Sequence, residues 1–397
     1  MKRIALILSC VLFFLYIGLN INYSAEVPAN VKNLEKELQR ELDKLQQTEG
    51  FPGVTLGIVL PDGQEINLAS GLADLESKIK MKPTDRIMMG SIGKTYVASV
   101  ALQLIGEKKF SLEDKVSRYL GKEDWFDKLP NGKDITIGML MNHTGGLPRY
   151  VFKEPFWKQF RESPGREWKP EELLSFILGD KPIHPAGKGW SYSDTDYIVL
   201  GMIIERVTGH KYYEELKKRI LEPLGLKDTI PQDKRRLPGL VPGYSGDKTP
   251  PFYLPAKTVV DGEFVINPQF EWTGGGLITH SLDLAKFFKL LLEGKIVSGE
   301  YLELMKRPVE EETGKPGQVG YGLGLEVWST VDGTAYGHRG TMPGYGSIAE
   351  YVPRYGFSIA IQYNTDGLSG RLNKSRTRND YIAVLKPIII DYLKQKK

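Results

Sequence analysis

Leu34, Leu38, Leu42 and Leu45 recur on one stripe between charged residues, and this spacing predicts an amphipathic helix over residues 31–49 that Gly50 and Pro52 end. The period then changes. Residues 54–60, the turn Pro61-Asp62-Gly63 and residues 65–69 follow the pattern of a hairpin. Further strand-like stretches lie far downstream, at 321–328, 334–338, 346–352 and 357–363, some of them separated by turns at Asp332-Gly333 and at 353–356. The closing stretch 378–396 reads as a helix with a strongly apolar middle. Between the two ends the pattern is mainly helical, clearest at 95–105, 170–178, 195–208, 212–220 and 281–292. Residues 234–271 are rich in Pro, Gly and aromatics without strong periodicity, and read as a long surface excursion of the kind that shapes a cleft. Strands at both ends with helices between predict an α+β fold, an α/β sandwich. One antiparallel sheet is assembled from N- and C-terminal segments, helices flank it, and a mainly helical region is inserted at about residues 120–270.

Composition narrows the class of protein. The chain has 397 residues, 41% of them hydrophobic and 26% charged, which excludes a collagen-like fibre and a multi-span membrane protein. With 53 Lys+Arg against 49 Asp+Glu the formal charge is +4, and no dense basic block points to nucleic acid as a partner. Lys2 and Arg3 precede an apolar run over residues 4–19, followed by Asn20, Asn22, Ser24 and Ala25. That is the layout of a secretory signal ending near residue 25, and the run is short for a bilayer span. An exported, periplasmic or secreted protein of residues 26–397 is the expectation, with an uncleaved anchor that tethers the chain to a membrane as the second reading. A lipoprotein is the third, because Ile7-Leu8-Ser9-Cys10 resembles a lipobox. Cys10 is the only cysteine, so the exported form would hold neither a disulfide nor a thiol nucleophile. The five histidines, at 143, 184, 210, 280 and 338, lack metal-ligand spacing, and no metal or other cofactor is expected.

The segment from Met88 to Thr95 supports two readings. Gly93-Lys94-Thr95 looks like the end of a phosphate-binding loop, but that motif needs a glycine where Met88 stands. The other reading is Ser-x-x-Lys at a helix start. A three-residue offset there puts the Ser91 hydroxyl and the Lys94 ammonium on one face, close enough to share a proton, and the helix N-terminus adds partial positive charge. A serine hydroxyl needs such a partner, because unassisted it is a poor nucleophile. Further on, Trp190-Ser191-Tyr192-Ser193-Asp194 precedes a helix and offers the Tyr192 phenol as a proton relay. Gly337-His338-Arg339-Gly340-Thr341 ends a strand pattern near the C-terminus.

In this order, Ser-x-x-Lys, Tyr-Ser-Asp and His-x-Gly resemble the motif set of the penicillin-recognising serine hydrolases, closest to the branch of class C β-lactamases and D-alanyl-D-alanine carboxypeptidases. The segments Ile135 to Pro148, Trp272 to Thr279 and Gly320 to Gly324 look like further parts of that family, so the resemblance runs from about Phe51 to about Asp366. It implies a β-lactamase/transpeptidase-like fold. It also implies an acyl-enzyme on Ser91, Lys94 as its proton partner, Tyr192 as base, and an oxyanion hole from the backbone N–H groups of Ser91 and Thr341. Asp194, His338, Arg339 and Gly340 are implied at the substrate, with His338 bordering the cleft. Asp194 stands where asparagine is common and should favour a charged Lys94, tilting the base role toward Tyr192. Arg339 stands where a hydroxyl residue often helps bind a substrate carboxylate; an arginine there could take the carboxylate bidentately or could simply point to solvent. The substrate is then a peptide or small molecule with an acyl group. D-alanyl-D-alanine carboxypeptidase-like or D-aminoacyl peptide hydrolysis leads, with a carboxylesterase, a β-lactamase or a non-hydrolytic wall-peptide-binding module as alternatives. His143 reads as a structural histidine, and Trp190, Trp272 and Tyr345 as packing or cleft-wall aromatics.

Overall fold

The computed structural model describes residues 29–245, 252–309, 317–366 and 378–396; the apolar run 4–19, expected to be an export signal or anchor, lies outside them. No helix among the described residues is long and apolar enough to cross a membrane.

The strand patterns of the two chain ends close into one sheet. The N-terminal part supplies β1 (Gly53–Val59), β2 (Glu65–Asp74) and β3 (Ile79–Lys80). The C-terminal part supplies β4 (Gln318–Tyr321), β5 (Glu326–Thr330), β6 (Gly333–Met342), β7 (Tyr345–Val352) and β8 (Phe357–Tyr363). The eight strands lie in the order β3-β2-β1-β8-β7-β6-β5-β4. β1 meets β8 antiparallel in the middle, Val54 opposite Tyr363 and Val59 opposite Ser358. Both strands are buried along their whole length, which is why they read as near-continuous apolar runs.

Each face of the sheet carries its own core. Val54, Leu56 and Ile58 of β1 and Ile348 of β7 turn toward helix α1 (Ala29–Glu49), whose Leu34, Leu38, Leu42 and Leu45 form the predicted stripe. On the other face lie helices α2 (Gly93–Gly106), α3 (Asp194–Thr208) and α4 (Ser281–Leu292), with the remaining mid-chain segments around them. Thr55 of β1 meets Ser281 at the start of α4 through their hydroxyls, 2.7 Å apart. α2 is buried from Gly93 to Leu102 on every side, as a helix through the centre of a core must be. The architecture is the expected mixture of helices and antiparallel sheet.

Some boundaries differ from the pattern. Residues 321–328 are two strands, β4 and β5, because the chain turns between them: Gly322 N donates to Leu325 O at 2.8 Å, and Gly324 takes φ +72°. The closing helix is divided into α5 (Arg378–Ala383) and α6 (Lys386–Gln395), since Pro387 has no N–H to continue the ladder. The helix expected over 212–220 runs from Tyr212 to Leu216 and then widens at Lys217–Leu221. The excursion 234–271 contains a small hairpin, Val259–Val260 with Glu263–Phe264, and returns inward through the turn Pro268–Gly274.

Candidate active site

Ser91 lies in the single tight turn Gly90–Ile92 that leads into α2, and no side chain caps that helix. The serine hydroxyl therefore stays available at the helix mouth instead of satisfying backbone N–H groups. One turn on, Lys94 is fully buried. Its Nζ donates to Ser91 Oγ at 3.2 Å, to Asp194 Oδ1 at 2.7 Å and to the Gly274 carbonyl at 2.6 Å. All three ammonium donors are thus engaged. Burial alone would strip the proton; Asp194, helped by Tyr192 and Glu271, outweighs it and holds the Lys94 pKa above its ordinary value.

Asp194 opens α3, where a helix N-terminus favours a carboxylate. Its second oxygen accepts from Arg149 Nε at 2.9 Å and Nη2 at 2.7 Å. Burial works against this charge, yet Arg149 and Lys94 keep the carboxyl well below the usual range. The Gly274 carbonyl reaches Lys94 because the chain reverses at Trp272, whose φ of +34° is a strained conformation for a bulky residue.

Tyr192 lies against this group, with Lys94 Nζ 4.9 Å and Arg149 Cζ 5.2 Å from its ring centroid. Burial raises the phenol pKa, while Lys94 and hydrogen bonding to Ser91 and Lys94 pull it the other way; the net direction is upward, so the phenol keeps its proton. The ring rests on His143, centroids 4.3 Å apart, and His143 Nδ1 shares a 2.9 Å hydrogen bond with Asp196. Burial, then the Lys94 charge, push the His143 pKa down, so a neutral imidazole supports the phenol.

The strand β6 closes on the nucleophile turn through two glycines. A Cβ on Gly340 would sit 1.8 Å from Met89 O and 3.2 Å from Ser91 N; one on Gly90, at φ +58°, would sit 2.6 Å from Thr341 N. Only glycine permits this approach, which sets the backbone nitrogens of Ser91 and Thr341 in adjoining positions. Both residues line a cleft of about 190 Å³, walled by Phe152, Trp157, Phe252 and Phe270 with Arg149 and Glu271 among them.

The expected residues thus divide. Ser91, Lys94, Tyr192 and the Thr341 backbone come together. Asp194 lines the cleft, but both its oxygens are held by Lys94 and Arg149, so its place is beneath the reacting groups and not on a substrate. Gly340 packs against the nucleophile turn. His338 is fully buried, its Nε2 2.9 Å from Tyr321 Oη and its Nδ1 bonded to Arg339 O, so it does not border the cleft as expected; its ring stands 6.3 Å from that of Tyr192. Arg339 also departs from the expectation of a carboxylate binder. Its guanidinium pairs with Glu326 at 2.7 Å and Glu350 at 3.1 Å and stacks on Trp328, on the opposite face of β6. The sequence reading missed Arg149 and Glu271, and it missed that His143 supports Tyr192. Arg149 directly follows the segment Ile135 to Pro148 that the resemblance singled out, but nothing local aims that arginine at Asp194.

Among the described residues one histidine-carboxylate group, Asp228, His280 and Asp283, has metal-like proximity. Its imidazole is already engaged: Nδ1 accepts the Asp283 N–H at 3.2 Å, which leaves Nε2 to donate to Asp228 at 3.2 Å.

A family model described as Beta-lactamase matches residues 38–382. PbpX of Bacillus subtilis (strain 168), whose name places it among the penicillin-binding proteins, is 26% identical over 355 residues, 87% of this chain and 80% of that protein. A D-stereospecific amidohydrolase from Streptomyces sp. superposes with a TM-score of 0.72 at 28% identity, covering 84% of this chain and 94% of the other. A D-amino acid amidase from Ochrobactrum anthropi SV3, solved with L-phenylalanine amide, superposes with a TM-score of 0.74 at 25% identity, covering 91% and 99%.

Proposed function

The chain belongs to the Beta-lactamase family, and from that premise we propose that it is a serine hydrolase that forms an acyl-enzyme on Ser91 and cleaves D-aminoacyl amides or short peptides. The observation that carries the reading is the Lys94 ammonium donating to Ser91 Oγ at 3.2 Å, with the Tyr192 phenol hydrogen-bonded to both and Ser91 opening on the cleft.

Because burial keeps Tyr192 protonated, the balanced step is a relay. Ser91 Oγ bonds to the substrate carbonyl carbon and passes its proton to the Tyr192 oxygen. The phenol gives its own proton to the departing nitrogen as the C–N bond breaks. Water then repeats the sequence in reverse, its proton going to Tyr192 and the phenol proton returning to Ser91 Oγ. Lys94, held charged, stabilises negative charge developing on either oxygen. The backbone N–H groups of Ser91 and Thr341 would hold the oxyanion. Asp194 and Arg149 position Lys94.

Two observations favour amide or amino-terminal substrates over carboxypeptidase action. Arg339, the expected carboxylate binder, faces away from the cleft, and the two structural neighbours above are named for amidohydrolase and amidase activity. An exported location, supported by the run 4–19 behind Lys2 and Arg3, would give such an enzyme access to peptides carrying D-residues. The test is intact-protein mass spectrometry after exposure to p-nitrophenyl acetate and to D-phenylalanine amide, with Ser91→Ala as control. A transient adduct on the unaltered chain, absent from the variant, with turnover of the D-amide exceeding that of its L-isomer, is expected. An adduct that never turns over would make the protein an acyl-binding module, and an adduct that persists in Ser91→Ala would remove Ser91 as nucleophile.

A further inference from the structure

Around Lys94 every charged side chain except one has a protein partner. The ammonium is saturated by Ser91, Asp194 and Gly274, and Asp194 is shared with Arg149. Glu271 differs: it is 9% exposed and lines the same cleft as Ser91, and among the described residues its carboxyl makes neither a hydrogen bond nor an ion pair. The turn Pro268–Gly274 carries it, with Phe270 beside it on the cleft wall and Gly274 close by, where a Cβ would come 2.9 Å from Glu271 Oε2. A buried carboxyl without a partner is costly, and a fold that retains one at the mouth of a cleft supplies half of an interaction.

We propose that Glu271 is the anchor for a protonated primary amine on the substrate, so that the cleft selects aminoacyl amides or peptides presenting an unblocked N-terminal residue with a bulky apolar side chain. This rests on the hydrolase reading above and narrows its substrate. The complement is chemical. A carboxylate that faces a ligand space attracts an ammonium and repels a second carboxylate. Phe152, Trp157, Phe252 and Phe270 around it give apolar area for a side chain and ring faces that favour a cation. Asp194 cannot take this part, because Lys94 and Arg149 already neutralise it.

The charges facing Glu271 give the site a pH signature. Lys94 on α2, Arg149 before the turn at Tyr150, and Asp194 on α3 surround it; Tyr150 and Tyr213 face it as neutral phenols, and Asp366 lines the far side of the cleft. Burial, then repulsion from Asp194, against the pull of Lys94 and Arg149, push the Glu271 carboxyl up to about 7. Lys94 and Asp194 are displaced the opposite ways, out of this range. Ammonium binding needs the ionised carboxylate and a protonated amine, so affinity rises as pH rises from 5.5 to about 6.5, below the range in which an α-amino group loses its own proton.

Two measurements on the full chain test this. Calorimetric binding of D-phenylalanine amide to Ser91→Ala is expected to weaken by about 10- to 100-fold on adding Glu271→Gln, the range for a hydrogen bond to a charged group. Glu271→Asp, which keeps the charge, should recover part of it, and the pH trend should vanish in the glutamine variant alone. In the active chain, kcat/KM for D-phenylalanine amide relative to N-acetyl-D-phenylalanine amide is expected to fall at least tenfold in Glu271→Gln, through KM. Unchanged binding in the glutamine variant, or an equal loss for the amine and its N-acetyl derivative, would overturn the assignment. The calorimetric result stands whether or not Ser91 is acylated, so failure of the hydrolase reading and failure of this one are told apart.

Discussion

Asp194 holds the buried Lys94 and the partly exposed Arg149 on one carboxylate, and its charge is what keeps the Lys94 ammonium protonated against burial. Replacing it by asparagine keeps the shape and removes the charge that Lys94 and Arg149 share. Breaking a buried ion network in this way costs about 3–5 kcal/mol. Asp194→Asn should therefore lower the urea midpoint at pH 7 and abolish Ser91 acylation together. The pH dependence has a definite sign. The folded pKa of Asp194 lies below its ordinary value of 3.8, so its contribution is complete above that value and is lost as pH falls further. The stability gap between the natural chain and Asp194→Asn should hold steady from pH 7 to 5 and shrink below about pH 4. A gap that closes instead near neutral pH would mean that the pair with Lys94 is weaker than the geometry indicates.

At the scale of elements, the site exists because the turn before α2 and the strand β6 touch without side chains between them. Gly340→Ala would place a methyl group where Met89 O now lies, 1.8 Å from the ideal Cβ position, so turn and strand must part. Displacing one backbone donor from an oxyanion is worth about 10²- to 10³-fold in kcat. That loss, with a smaller change in KM, is the expected steady-state result for Gly340→Ala in protein that remains folded by circular dichroism. An unchanged kcat would move the oxyanion site away from Thr341. The same strand shows what was readable beforehand. Ser91 and Lys94 were legible because a three-residue offset is local, and the strands were legible from their period. Arg339 was assigned to the substrate although strand alternation already told against it: with His338 and Gly340 turned toward the nucleophile turn, residue 339 must face the other way. Arg149 and Glu271 carried no local signal. Arg149 meets Asp194 across 45 residues, and Glu271 becomes distinctive only once its neighbours are seen to be paired with one another.

Over the whole molecule, the sheet separates a core that holds the fold from a core that holds the chemistry. The terminal helices α1 and α6 cover the face with Leu56, Ile58 and Ile348, while Ser91, Lys94 and Tyr192 lie on the other side. Arg339 belongs to the first of these cores. Through Glu350 it joins Lys386 of α6, which reaches the same carboxylate group at 3.3 Å. Disturbance on that side should reach stability without reaching the reaction, because the β1–β8 pairing at the centre of the sheet is backbone hydrogen bonding that the outer side chains do not make. Leu38 is fully buried in the outer core, and Leu38→Ala should cost about 2–5 kcal/mol of unfolding free energy by urea titration. The kcat/KM per folded molecule at 25 °C should stay within about twofold of the natural chain. Because the terminal segments pair in one sheet, the unfolding should remain a single transition whether followed by far-ultraviolet dichroism or by loss of Ser91 acylation. Two separated transitions, with acylation surviving the first, would show instead that the inner core and its site stand without the terminal helices.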